Sequence, residues 1–382
     1  MLSEEAVQVA QQTADPSLEV WAHSWRLCAS WELGLRGQAD SELAALTVAV
    51  NRIKEPMARW RLELARGSLA LIDGRYADAV QAAERALAIA RRGGHQGATL
   101  LARVLQHLVA ARNGAADVEE ELRDELAVGE RRLWCASYLA DQGRVAEVRE
   151  IWPGGSHAVG PYPPDMWLIV TVGQAKVAAA LEDREWAAQV CEQLAPFPEL
   201  HVVRGPLGGY EGPVALYCGQ LAAVLGRFEE AEHFLREALL RAGGIGSPPF
   251  EAVARHQLAG LLRRRGRPRD RAMAISLLEQ AQATAERLGM RPLAPMVSAE
   301  LHALRHPRGR PTPLSDREVE VAGLVAEGLT NRAIGDRLHV SERMAENHVK
   351  NILDKLGLDS RAQIAAWTVS QGAVWSLARA RN

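Results

Sequence analysis

A short phrase recurs along this chain, and its recurrence limits the fold more than any other feature. It is clearest as Gly74-Arg75-Tyr76-Ala77-Asp78-Ala79, followed by Ala86-Leu87. It returns as Gly226-Arg227-Phe228-Glu229-Glu230-Ala231, followed by Ala238-Leu239. Weaker copies start at Gly37, Gly114, Gly143, Asp183 and Gly266, giving steps of 37, 40, 29, 40, 43 and 40 residues. Each copy reads as a helical hairpin: the glycine ends one helix, the aromatic plugs the hairpin, and the small alanine lets the two helices approach. One such hairpin cannot bury its own apolar face, so neighbours have to stack. From the N-terminus to about Arg305 the pattern is helical throughout. Ala, Leu, Glu and Arg dominate, and no strand is read.

Two stretches interrupt that pattern. One runs from Trp152-Pro153-Gly154-Gly155 through Pro161-Tyr162-Pro163-Pro164, the other from Pro196-Phe197-Pro198 through Gly205-Pro206-Leu207-Gly208-Gly209-Tyr210. Both are expected to be loops, either crossovers between irregular hairpins or the rim of a binding surface. Trp21, Trp25, Trp31, Trp60, Trp134, Trp152, Trp167 and Trp186 are expected to pack in the core, with an aromatic ligand pocket as the alternative. The run Arg263-Arg264-Arg265-Gly266-Arg267-Pro268-Arg269 reads as a solvated inter-helix turn.

At 382 residues the chain exceeds one compact core, so two or more domains are expected. It is 48% hydrophobic with a formal net charge of −2, which excludes a disordered chain. Residues 307–382 hold 11 Lys/Arg against 9 Asp/Glu, so any basic footprint there is local. Cys28, Cys135, Cys191 and Cys218 form no C-x-x-C pair and read as buried thiols in a reducing cytoplasm. No basic leader and no apolar run of about 18 residues is present, so no membrane partner is expected. No G-x-x-x-x-G-K-[ST] phosphate loop and no G-x-S-x-G nucleophile motif occurs, so no enzyme activity and no cofactor is expected. His302 and His306 stand four apart, but Ala303 follows the first where a zincin needs Glu, so no metal is expected.

The stretch from Leu314 to about Gln371 is built differently, as four short helices marked by their caps. Ser315 with Glu318 and Ser360 with Gln363 are capping boxes; Thr330 and Ser341 cap the helices between them. Gly328-Leu329 and Gly357-Leu358 are glycine-plus-apolar stops. His339-Val340-Ser341 leaves so tight a turn that the second and third helices must cross steeply, which is helix-turn-helix geometry. On the third helix Ala345, Val349, Ile352, Leu353 and Leu356 share the core side. Arg343, Glu346, Asn347 and Lys350 share the opposite side, a donor-rich face suited to base edges in a major groove. Thr330, Asn331 and Lys355, at helix ends or flanks, are the phosphate candidates.

Residues 314–363 resemble the DNA-binding domain of LuxR-type transcription regulators. The resemblance is carried by Arg317-Glu318, Glu327-Gly328-Leu329-Thr330-Asn331, Ile334, Leu338, Ser341-Glu342, His348-Val349, Asn351-Ile352, Lys355-Leu356-Gly357 and Arg361-Ala362-Gln363. It implies double-stranded DNA as ligand and a homodimer through the fourth helix, where Trp367 is the contact candidate; RNA polymerase is a further candidate partner. Three departures stand out. Ala333 replaces the usual Glu or Gln, Gly335 replaces a usual Ala at an expected cost of about 1 kcal/mol in helix propensity, and Met344-Ala345 replaces a frequent Thr-Val. The repeat phrase resembles the tetratricopeptide repeat. Residues 74–92, 212–240 and 270–292 resemble the helical half of large ATPase regulators that end in a LuxR-type domain, without the ATPase module itself.

The expected fold is therefore all-α: a solenoid of tetratricopeptide-like hairpins over 1–305, a Pro/Arg linker over 306–313, a LuxR-type helix-turn-helix over 314–374 and a tail over 375–382. The expected function is a bacterial, cytoplasmic transcription regulator. A small-molecule effector or protein partner on the repeats would control it. Two alternatives are a repeat scaffold with vestigial DNA binding, suggested by Ala333, Gly335 and Met344, and an enzyme working in the superhelix groove.

Overall fold

The repeat phrase becomes paired helices because Gly74, Gly143, Gly226 and Gly266 each break one helix where the next can fold back. The computed structural model describes the chain apart from residues 1–8, 11, 13–14, 115–131, 153–161, 163–165, 206, 306–313 and 372–382. Two compact units divide it, Met1–Leu301 and His302–Asn382. The first begins with α1 (Pro16–Glu32), α2 (Arg36–Arg52), α3 (Pro56–Asp73), α4 (Tyr76–Arg92) and α5 (Gln96–Asn113). It continues with α6 (Arg132–Asp141), α7 (Val145–Ile151), α8 (Trp167–Leu181) and α9 (Arg184–Leu194). After β1 (His201–Arg204) and β2 (Gly209–Pro213) come α10 (Val214–Val224), α11 (Phe228–Ile245), α12 (Pro248–Arg265), α13 (Asp270–Leu288) and α14 (Leu293–Arg305). The second unit holds α15 (Asp316–Ala326), α16 (Asn331–Leu338), α17 (Glu342–Leu356) and α18 (Arg361–Gln371). The fold is all-α, hairpins followed by a small four-helix domain.

Helices pack mainly on their sequence neighbours: α1 on α2, α3 on α4, α10 on α11, α12 on α13. Gly74, Gly143, Gly226 and Gly266 all take left-handed conformations at the turns expected of them. At the fifth copy Glu182 takes that conformation, and the Asp183 side chain caps α9 by accepting from the Trp186 amide. The first copy is misplaced: the chain turns at Gly34, φ 71°, while Gly37 lies inside α2 with ordinary helical geometry. Tyr76 is buried as a plug should be, and so are Ala79 and Ala86, whereas Phe228 is only half-buried.

Distant hairpins also meet. Ser247 Oγ donates to the Ile72 carbonyl at 2.9 Å, and Arg36 Nη1 reaches both Asp73 at 2.8 Å and the Ile245 carbonyl at 3.2 Å. The first two hairpins thus dock on the turn between α11 and α12.

The second interrupting stretch is not a loop. It is an antiparallel β-hairpin, buried at both strands, that packs against α1, α3, α5, α8 and α11. Its register pairs Val202 with Gly212 but Val203 with Tyr210, so Glu211 is an extra residue in the second strand. Such a bulge re-aims a side chain. Here the Glu211 carboxylate meets Arg204 Nε at 2.5 Å and Lys176 Nζ at 2.5 Å. Lys176 also meets Asp141 at 2.9 Å, and Asp141 lies 3.5 Å from Arg112. A five-member ionic chain therefore runs through the interior. Burial pushes the Glu211 carboxyl up, but Arg204 and Lys176 outweigh it and hold it at about 2. At Gly212 a Cβ would come within 2.3 Å of the Phe250 ring, so only glycine lets the strand lie this close to α12.

Several other expectations resolve here. Trp31, Trp60 and Trp186 are core residues, but Trp21 and Trp25 are each 45% exposed, and Arg61 stacks 3.5 Å over the Trp21 ring. The arginine run is a solvated turn, exposed except at Arg265, and it also staples neighbouring helices. Arg265 joins Glu232 to Asp270, Arg267 reaches Glu229 and Arg263 faces Glu300 at 3.4 Å. All four cysteines are free and buried. Among the described residues no helix is long and apolar enough to cross a membrane. Most of the first interrupting loop, the Pro/Arg linker with His306, and the 375–382 tail lie outside the described residues.

Two buried histidines make the first unit sensitive to acid. Burial, with the Arg204 charge, lowers His107 to about 3; burial, with Arg241, lowers His201 to about 4. The unfolded chain protonates both near 6.5, so below that pH the unfolded state binds more protons and stability falls. Each histidine should cost about 2 kcal/mol between pH 6.5 and 5. Urea titrations of the wild type and of His201→Asn at the two pH values check this, with a smaller pH dependence expected in the variant.

Candidate nucleic-acid interface

Local signals fix each helix of the C-terminal unit. Ser315 Oγ accepts from the Glu318 amide while Glu318 Oε2 accepts from the Ser315 amide at 2.7 Å, so the capping box of α15 is complete. Thr330 caps α16 through the Ala333 amide at 3.3 Å, although Ala333 returns nothing. Ser341 caps α17 through the Met344 amide at 3.2 Å. The Ser360–Gln363 box opens α18: Gln363 Oε1 accepts from the Ser360 amide at 3.1 Å and Ser360 Oγ from the Gln363 amide at 3.3 Å. After Gly328 the Leu329 amide returns to the Leu324 carbonyl at 3.1 Å; after Gly357 the Leu358 amide returns to Leu353 at 3.0 Å. Both leucines then pack on the domain core, as a Schellman stop requires.

That core holds Val321, Leu324, Ile334, Ala345, Ile352 and Ile364, with Val349 at its edge. Leu353 and Leu356 are partly buried against it, so α17 buries the face expected. Between α16 and α17 the chain turns in three residues, with His339 left-handed at φ 54° and the Val340 amide bonded to the Gly335 carbonyl at 2.9 Å. The turn folds so tightly onto α16 that a Cβ on Gly335 would stand 2.8 Å from the Val340 carbonyl oxygen. Gly335 is thus a close-approach residue, and its helix-propensity cost is secondary. Gly335→Ala should destabilise the unit by about 1–3 kcal/mol, as overpacking does, where propensity alone would stabilise it. Thermal melts of the variant read the sign.

Arg343, Glu346, Asn347 and Lys350 are all exposed on α17, and none makes an ion pair or side-chain hydrogen bond among the described residues. Met344 stands beside them, 49% exposed and without a donor. The phosphate candidates are differently placed. Thr330 is occupied as a cap, and Asn331 Oδ1 accepts from Arg361 Nη1 at 2.7 Å. Lys355 Nζ donates to Glu318 Oε2 at 2.7 Å. Burial raises the Glu318 carboxyl, but Lys355 and the Ser315 donors outweigh it and hold it below its usual value. Trp367 is half-buried on α18, packed on the core.

Two arginines of the family-like motif act as fold staples. Arg361 also donates to the Leu329 carbonyl, clamping the entry to α16, and Arg317 Nη2 donates to the Leu338 carbonyl at 2.7 Å, holding its exit. Arg332 and Arg337, which sequence reading passed over, are exposed on α16 with no ion pair among the described residues. Their signal was positive charge on the helix that precedes α17.

Residues 312–368 match the model of the bacterial regulatory proteins of the luxR family. The chain is 41% identical over 59 residues to the transcriptional regulatory protein DegU of Brevibacillus brevis, 15% of this chain and 25% of that protein. Over 54 residues it is 43% identical to the DNA-binding transcriptional activator DevR/DosR of Mycobacterium tuberculosis, 14% of this chain and 25% of that protein. With the nitrate/nitrite response regulator NarL of Escherichia coli it shares 36% over 94 residues, 24% of this chain and 43% of that protein. The chain thus spans between a quarter and less than half of these curated relatives. The C-terminal domain, with its capped helices, tight turn and polar outer face on α17, is a LuxR-family helix-turn-helix domain.

Proposed function

We propose that this chain is a cytoplasmic, DNA-binding transcription regulator that reads promoter DNA through α17. The observation that carries the reading is the set Arg343, Glu346, Asn347 and Lys350: exposed, polar and unpaired on one face of a LuxR-family helix. A donor and acceptor set free of internal partners suits base edges. Lys350 donates to guanine O6/N7, Asn347 pairs with adenine, and Glu346 accepts from cytosine. Thr330, Asn331 and Lys355, with Arg332 and Arg337 added, meet phosphates and set the register. The phosphate role of Asn331 and Lys355 requires that they share or exchange their present partners, Arg361 and Glu318.

The active form is a homodimer through α18 with Trp367 at the contact, and the domains follow the boundaries near 305 and 314. The helical unit, a tetratricopeptide-like repeat domain without ATPase activity, carries an effector or a protein partner that sets DNA affinity, and RNA polymerase is the downstream contact. Footprinting of DNA selected from a random pool tests this. Two half-sites about one helical turn, roughly 10 bp, apart are expected, filling cooperatively with protein concentration. Protection of a single half-site at all concentrations contradicts the dimer, and no selection above random sequence contradicts base reading.

A further inference from the structure

The first unit contains a groove of about 580 Å³, floored by alanines of α5, α6, α8 and α10 and walled by α7, α12 and the start of α14. That volume lies in the range of small-molecule sites. Among the described residues four cations line it, Arg112, Arg149, Lys176 and Arg264, against two carboxylates, Asp141 and Glu182. Counting the buried chain behind the floor leaves the imbalance in place: among the described residues Arg112, Lys176 and Arg204 share only Asp141 and Glu211.

The donors are also under-used. Arg112, its side chain 10% exposed, has one carboxylate at 3.5 Å and stacks on the Phe250 ring at 4.7 Å. Arg149 is exposed on the rim with no partner among the described residues. Arg264 gives one donor to the Ala223 carbonyl at 3.3 Å and keeps the rest. Buried cations with an unbalanced charge are costly unless an anion completes them. Apolar side chains share the lining: Val145, Val253, Met290, Leu293 and Met296, the last 40% exposed.

We infer that this groove binds a small organic anion, its carboxylate or phosphate held by Arg112, Arg149 and Arg264 and its apolar body laid against Val253, Met290 and Met296. Guanidinium forks suit either head group, and charge-assisted bonds to them are among the stronger ones. The inference deepens the effector half of the reading above, but binding in the groove stands or falls without DNA.

The test uses the full chain and pyrenebutyrate as a fluorescent probe, with pyrenebutanol as its neutral isostere. Saturable one-to-one binding of the acid is expected, roughly tenfold or more tighter than the alcohol. The rim double variant Arg149→Gln/Arg264→Gln should weaken the acid about tenfold and leave the alcohol unchanged. Arg112→Gln should weaken it further; where that variant does not fold, the rim variant still decides. Competition by phenyl phosphate against phenylbutyrate tells which head group is preferred. Equal binding of acid and alcohol, no saturable binding of the acid, or wild-type affinity in the rim variant overturns the inference. DNA affinity measured on the same samples reports on the regulator reading alone.

Discussion

Glu211→Ala should destabilise the N-terminal unit by about 3–5 kcal/mol, the range for removing one partner of a buried ion pair. Glu211 is 2% exposed and, among the described residues, is the only carboxylate paired with Arg204, which is itself buried. Removing it leaves the Arg204 guanidinium without an acceptor and Lys176 with Asp141 alone. Glu211→Gln keeps the volume and loses the charge, so it separates packing from electrostatics and should recover only a small part of the loss. Denaturant unfolding of the two variants beside the wild type measures both. A loss below about 1 kcal/mol, typical of a solvated pair, contradicts an interior held by this ionic chain. Because the Glu211 carboxyl titrates at about 2 when folded and near 4.5 when unfolded, its contribution is complete above pH 4.5 and fades as pH falls toward 2.

The second large effect is expected on DNA. Lys350→Ala should cost about 1–3 kcal/mol on the cognate site and relax preference at one base pair. Glu346→Ala should raise binding to unrelated sequences while reducing selectivity, because a carboxylate near DNA costs affinity unless it accepts from a base. Lys355→Ala should weaken all sequences alike and lower the salt slope by about one unit. Since Lys355 also holds Glu318 of the capping box, its variant needs a melt to show that the domain is intact.

The C-terminal domain was legible almost residue by residue because its signals are local. Ser315, Thr330, Ser341 and Ser360 sit at helix starts, and Gly328 and Gly357 at helix ends, each within four residues of the groups it satisfies. The outer face of α17 followed from helical period alone. The hairpin of residues 201–213 was hidden for the opposite reason. Its strands are only four and five residues long; Arg204 ends the first, and the second carries Glu211 among Gly209, Gly212 and Pro213. Those are loop signals, and what makes the segment a strand pair is burial among helices distant in sequence. The same limit explains Gly335, whose role comes from a carbonyl five residues on, and Lys355, whose partner lies 37 residues away. Trp21 and Trp25 share a helix face as their spacing implies, but spacing does not tell whether anything covers that face.

The proposal that α17 reads bases is tested most directly by one comparison: wild type, Lys350→Ala, Glu346→Ala and Lys355→Ala, each titrated onto cognate and scrambled duplexes at several salt concentrations. The expected result is a split, with the Lys350 and Glu346 variants losing discrimination between the duplexes and the Lys355 variant losing affinity for both with a shallower salt slope. Uniform loss across all three variants, or no change in any, contradicts base reading by this helix.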